Sequence, residues 1–175
     1  MLTFTKMNGA GNDFIMLDNR DMALGLGPAQ ISLLCDRHRG IGADGMLVIE
    51  SANNGGDFRM RYYNADGNEA EMCGNGARCF ARFVDRIDKR EGKPVTFETM
   101  AGLVAADFHG DEIKLQLSNP TDLAMSKLIE INGQSTTVHS INTGVPHAVV
   151  VVDDIGHSDV CRDGAAIRYH RHFQP

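Results

Sequence analysis

No run in this 175-residue sequence approaches the roughly 20 consecutive apolar residues that a membrane helix needs. Nor does the opening, MLTFTKMNGAGNDF, have the charged-then-apolar order of a secretory leader. The four cysteines, at 35, 73, 79 and 161, contain no C-x-x-C pair and no spacing suited to a zinc site, so no metal is expected and the thiols read as free. Positive charge is not in excess. A net charge of -6 and a pI near 5.6 offer little attraction to nucleic acid or to an anionic membrane surface. Internal repeats and low-complexity tracts are missing too. What is present, 42% hydrophobic and 23% charged residues, is the composition of a soluble globular chain long enough to fold around its own core. Together these features point to a cytoplasmic protein with a small polar partner, and to neither nucleic acid nor membrane.

Short strands separated by Gly and Asn turns dominate the pattern. FTKM, DFIMLDN, GMLVIES, DFRMRYYN, the long stretch from Val95 to Leu117, and HAVVVVDD alternate or form compact apolar runs. Two segments read as helix. GPAQISLLCDRHRGIG places Pro28 in a first turn, Ile31, Leu34 and Cys35 on one face, basic residues near the end, and Gly40 where it can cap. The second, from about Gly74 to Asp85, repeats Ala77, Phe80, Ala81 and Val84 at helical spacing, with Arg78, Arg82 and Arg86 on another ridge. Strands around one apolar helix predict an α+β fold, a mixed sheet wrapped around a central helix. Asn119-Pro120 breaks the pattern. The expected organisation is a first domain over 1–118 and the opening part of a second, similar but incomplete domain over 119–175.

The chemistry concentrates in EMCGNGARCF. A thiol at a helix start meets unpaired N–H groups and the positive end of the helix dipole, both of which favour thiolate. Gly74 and Gly76 carry no side chains to block a ligand, so the same N–H groups could grip a carboxylate. Cysteine is also a commonly buried residue, and C-G-N-G is an ordinary turn into a helix. The residues alone leave both readings open.

Four stretches carry a resemblance: KMNGAGNDFIMLDN, RHRGIGADGMLVIE, NADGNEAEMCGNGARCFARF and NTGVPHAVVVVDD. In this order they resemble diaminopimelate epimerase, a family of cofactor-independent amino-acid racemases. The resemblance implies two similar α+β domains, a site between two helix N-termini, and a homodimer. It further implies inversion at one α-carbon of LL-2,6-diaminopimelate to give the meso isomer, for lysine and cell-wall synthesis, with no pyridoxal phosphate. Cys73 matches the first of the family's two acid/base cysteines. His147, in GVPH, matches a histidine that can hold the proton of this thiol, although a lone histidine is more often simply hydrogen-bonded in place. Asn12 and Asn64 match substrate-contacting asparagines, and Gly74 with Asn75 would supply backbone donors; Asn beside Gly is also routine turn chemistry.

The chain departs from the family in three respects. Gly45 and Val145 stand where some members carry Gln and Asn, so neither position offers a polar side-chain contact. Cys35 and Cys79 fall on apolar helix faces, while Cys161 sits in SDVCRDGAA, a loop-like segment unlike the second catalytic motif. That motif, a Cys-Gly pair at a helix start preceded by Glu-Arg, is not among these residues, and the expectation is a truncated epimerase chain without activity of its own. Two other readings remain open: a racemase or isomerase of the same fold acting on a proline derivative or a tricarboxylic acid, and a ligand-binding remnant without catalysis.

Overall fold

The computed structural model describes residues 2–174. The chain divides into two compact units, one up to Ser118 and the other from Asn119 onward.

In the first unit, eight strands make one mixed sheet: β1 (Thr5–Gly9), β2 (Asn12–Asp18), β3 (Gly45–Ser51), β4 (Phe58–Asn64), β5 (Glu69–Ala70), β6 (Val95–Thr99), β7 (Gly102–His109) and β8 (Glu112–Gln116). Their order is β1-β2-β3-β4-β6-β7-β8, with β5 paired to β4. The β2/β3 and β4/β6 pairs are parallel and the rest antiparallel. Between them lie α1 (Pro28–Cys35) and α2 (Gly74–Ile87). Helix α2 packs on β1 and β2 at one end of the sheet and on β8 at the other, which requires the sheet to curl around it. The α+β arrangement expected from the sequence is present.

Both faces of the sheet are covered. Alternation sends Phe14, Met16, Leu47, Ile49, Phe58 and Met60 toward α2, where they meet Ala77, Phe80, Ala81 and Val84. The intervening residues Ile15, Leu17, Met46 and Val48 meet Ile31 and Cys35 of α1 on the opposite face. Double coverage explains why β2 and β3 read as continuous apolar runs in the sequence.

Helix α1 is shorter than its sequence suggests. It stops at Cys35 because the Asp36 carboxylate takes the backbone N–H groups of His38 and Arg39 and the Arg39 guanidinium, building a local turn in place of another helical one. Gly40 then lies against the last carbonyls of the helix, where a Cβ would meet the Leu33 carbonyl oxygen at 2.0 Å.

In the second unit β9 (Thr121–Ile131), β10 (Gln134–Asn142) and β11 (Pro146–Val149) form a sheet of order β11-β10-β9. A helix, α3 (Val160–Arg168), follows a short 3-10 turn. Ile129, Ile131 and Val138 form its small core with Val150, Ala166, Ile167 and Phe173. The apolar run HAVVVVDD yields a strand only as far as Val149, because the ladder to β10 ends at His139. Among the described residues, no helix is long and apolar enough to cross a membrane.

Candidate active site

Strand alternation and one tight turn bring most of the candidate residues together. Ala10 and Gly11, both at positive φ, make the two-residue connection between β1 and β2 that matches the natural twist of a hairpin. Asn12 therefore begins β2 on the same face as Phe14, toward α2. On β3 and β4, Gly45 pairs with Phe14 on one side and Asn64 on the other, so Asn12, Gly45, Tyr62 and Asn64 share that face. Cys73 is the N-cap of α2.

The Cys73 backbone is extended, and its sulfur accepts the Gly76 N–H at 3.5 Å while its carbonyl accepts that of Ala77 at 2.7 Å. The thiol thus takes the place usually held by a Ser or Asp cap. The Gly74 and Asn75 N–H groups, in the first turn, have no intrahelical acceptor. Here the two glycines differ. A Cβ on Gly74 would meet nothing closer than an Arg78 nitrogen at 3.7 Å, so that position is open. A Cβ on Gly76 would press on Leu47 at 3.2 Å and Phe14 at 3.4 Å, so this glycine lets the helix settle on the core and does not clear a path for a ligand.

Asn12 and Asn75 bind each other, the Asn75 Nδ2 donating to Asn12 Oδ1 at 3.0 Å. In turn Asn12 Nδ2 donates to Asp44 Oδ2 at 3.3 Å, and the Asp13 N–H donates to the same oxygen at 2.9 Å. Arg37 bridges Asp13 and Asp44, each at 2.9 Å. Asp44 is held below the usual carboxylate range by the Asp13 N–H first, then by Asn12 and Arg37. Sequence reading singled out none of Asp13, Arg37 or Asp44. The signal available was an acidic residue directly after each of the Gly-rich stretches GAGN and GIGA.

Asn64, at the end of β4, is exposed, and its Oδ1 accepts the Tyr62 hydroxyl at 2.8 Å. Cys35 and Cys79 are buried, and burial pushes both thiols up. Cys161 is not in a loop but in the first turn of α3, exposed, with Asp159 as the cap accepting the Arg162 N–H at 3.0 Å. His147 belongs to the second unit, on β11, and is exposed. Its Nδ1 lies 2.6 Å from the Val145 carbonyl oxygen, a contact in which the ring nitrogen carries the hydrogen because a carbonyl oxygen can only accept. Among the described residues, no group of three His, Cys, Asp or Glu side chains gathers as a metal site.

A sequence model of diaminopimelate epimerase matches residues 4–122, more than half of the chain. The chain belongs to the diaminopimelate epimerase family. The diaminopimelate epimerase of Nitrosospira multiformis is 38% identical over 184 residues, covering 98% of this chain and 66% of its own length. That of Aquifex aeolicus is 39% identical over 185 residues, covering 99% and 66%. The chain thus spans about two thirds of the length of these curated relatives. A solved structure of a probable proline racemase from Agrobacterium radiobacter K84 matches at TM-score 0.67 and 15% identity, over 90% of this chain and 54% of that one. That likeness is one of fold. Within this member of the diaminopimelate epimerase family, Asn12, Asn64 and Cys73 lie in the first unit and His147 in the second.

Proposed function

We propose that this protein acts in the interconversion of LL- and meso-2,6-diaminopimelate, with Cys73 as one of two groups that exchange the α-proton. The reading is supported most by one observation: a cysteine capping a helix whose next two N–H groups lack intrahelical acceptors, in a chain of this family. An α-proton beside an ammonium and a carboxylate is a very weak acid. As it passes to the Cys73 thiolate, the electron pair moves into the substrate carboxylate, and the Gly74 and Asn75 N–H groups are suited to receive that charge. A second group on the opposite face of the carbon delivers a proton, and inversion results. Asn12 and Asn64 then hold the distal end of the substrate, and His147 takes the proton of the Cys73 thiol before substrate arrives.

Under the same reading the working protein is a cytoplasmic homodimer that makes meso-diaminopimelate for lysine and peptidoglycan precursors, without an organic cofactor. The first unit is an epimerase domain and the second the opening of a similar one. Among the described cysteines only Cys73 caps a helix; at α3 the cap is Asp159. One of the two bases is thus expected within these 175 residues, and inversion by the chain alone should be negligible. Incubation with LL-diaminopimelate in heavy water tests this. Slow α-deuterium uptake with retained configuration is expected, lost in Cys73→Ser. Uptake that survives Cys73→Ser, or meso product at the rate of a full-length relative, would overturn the one-thiol assignment, and no uptake in either protein would remove Cys73 as a base in this chain.

A further inference from the structure

The Gly45 position is closed by its neighbours. A Cβ built there would lie 2.6 Å from the Tyr63 carbonyl oxygen, 2.8 Å from the Tyr62 ring and 3.5 Å from the Tyr62 hydroxyl oxygen. The volume that a side chain at 45 would use is filled by the Tyr62 ring. That ring is itself fixed, edge-on to Phe14 with centroids 6.3 Å apart and planes at 73°. Its hydroxyl ends 2.8 Å from Asn64 Oδ1. Burial pushes the phenol up to about 12, with the Cys73 sulfur and the Asp44 carboxylate adding to the effect, so at neutral pH it is a donor. An amide whose oxygen is taken by a phenol turns its NH2 group the other way. Asn64 is exposed, and the Tyr62 ring that reaches it packs against the same core cluster as Cys73.

We propose that Tyr62 is a positioning and selectivity residue of this site: its ring closes the space over Gly45, and its hydroxyl locks the Asn64 amide so that two N–H donors await a second carboxylate on the ligand. The inference rests on the reading of the surface beside Cys73 as a substrate site. Tyr62 touches no reacting atom; it acts through Asn64. A locked amide offers donors only, which favours a carboxylate and disfavours an ammonium at the same place. A free amide rotates to suit either, so the hydroxyl bears on discrimination as well as affinity.

The test uses the 175-residue protein and two probes that differ by one carboxylate, LL-diaminopimelate and L-lysine. Each is titrated for its ability to protect Cys73 from iodoacetamide. The wild-type protein should prefer diaminopimelate, and Tyr62→Phe should lower protection by diaminopimelate about five- to tenfold, the size of one lost hydrogen bond, with protection by lysine unchanged or raised. In an Asn64→Ala background, Tyr62→Phe should have no further effect. Thermal midpoints of the variants guard against misfolding, and Tyr62→Phe keeps the ring. Undiminished preference in Tyr62→Phe, or an equal loss with and without Asn64, overturns the role of Tyr62 while leaving the substrate reading intact. Failure of the wild-type protein to be protected by either probe overturns that reading, and this one with it.

Discussion

The difference among four thiols in one chain is a matter of a few neighbouring atoms. Cys35 and Cys79 lose solvent, and Cys161 is exposed on a helix capped by Asp159, whereas Cys73 is half-buried and is itself the helix cap. Cys73 is therefore expected to be alkylated fastest in the folded protein near neutral pH, ahead even of the more exposed Cys161. Peptide mapping after brief iodoacetamide treatment reads this directly, and faster labelling of any other cysteine sinks it. Asn12 provides a second residue-scale outcome. Its amide is fixed by Asp44, a carboxylate whose pKa is lowered in the fold, first by the Asp13 N–H. A lowered carboxylate contributes stability above its unfolded pKa, near 4, and loses that contribution as pH falls through the folded value. Side-chain amide signals of Asn12 should hold steady from pH 7 to about 5 and move below about 4, and Asp44→Asn should abolish that movement; identical acid titrations in both proteins would remove Asp44 as the clamp. The candidate asparagines were legible as residue types, but their bonding was not. The Asn12–Asn75 contact joins positions 63 apart in sequence and exists only because the Ala10-Gly11 turn and the α2 cap meet.

At the scale of elements, the position of α2 decides whether a site exists at all. Gly9, at the end of β1, admits the first turn of α2 so closely that an added Cβ would sit 2.8 Å from the Asn75 carbonyl oxygen and 2.8 Å from the Cys79 sulfur. Gly9→Ala should push the helix start away from β1 and β2, costing about 1–3 kcal/mol and weakening protection of Cys73 by diaminopimelate. Phe80→Ala serves as the contrast. Phe80 is fully buried, 4.8 Å from the Phe97 ring, and its loss should cost about 3–5 kcal/mol by denaturant titration without specific displacement of the cap. If Gly9→Ala leaves ligand protection at the wild-type level, close approach at Gly9 is not what places Cys73. Helix α2 was readable because its apolar positions repeat at helical spacing before a sheet that needs covering. The β9/β10 hairpin had an equally good signal in Asn132-Gly133, two residues at positive φ between paired Ile131 and Gln134. Exposed Leu123, Met125 and Leu128 blur the alternation of β9 and hide the strand that precedes this turn. Helix α3 is hard to read for a related reason: none of its residues is buried, so no apolar stripe announces it.

Across the whole molecule, the two units are stabilised very unequally. The first buries two apolar layers on either side of its sheet, anchored by residues with almost no exposure, such as Phe14, Phe80, Phe97, Ile15 and Met46. Among the described residues of the second, only Ile129, Ile131 and Val138 are buried apolar residues, and Val151, Ile155 and Val160 are 79%, 71% and 64% exposed. A cavity of about 570 Å³ opens within that unit, between Ile131 and Val150 of the sheet side and Ile167 of α3. Small units bury a low fraction of their unfolded surface, and local opening is easiest where buried contacts are fewest. Under native conditions the second unit should therefore open more often than the first. Limited proteolysis with chymotrypsin ought to cut first beyond Ser118, at exposed sites such as Leu123, Leu128 and Tyr169, and a resistant fragment ending near the unit boundary should accumulate. The thiol cap and its asparagines belong to the first unit and His147 to the second, so if His147 takes the thiol proton as proposed, Cys73 in that fragment should be alkylated more slowly than in the whole chain. An unchanged rate in the fragment would remove His147 from that role, whereas loss of both units at one rate, with no intermediate fragment, would show the chain to open as a single cooperative body.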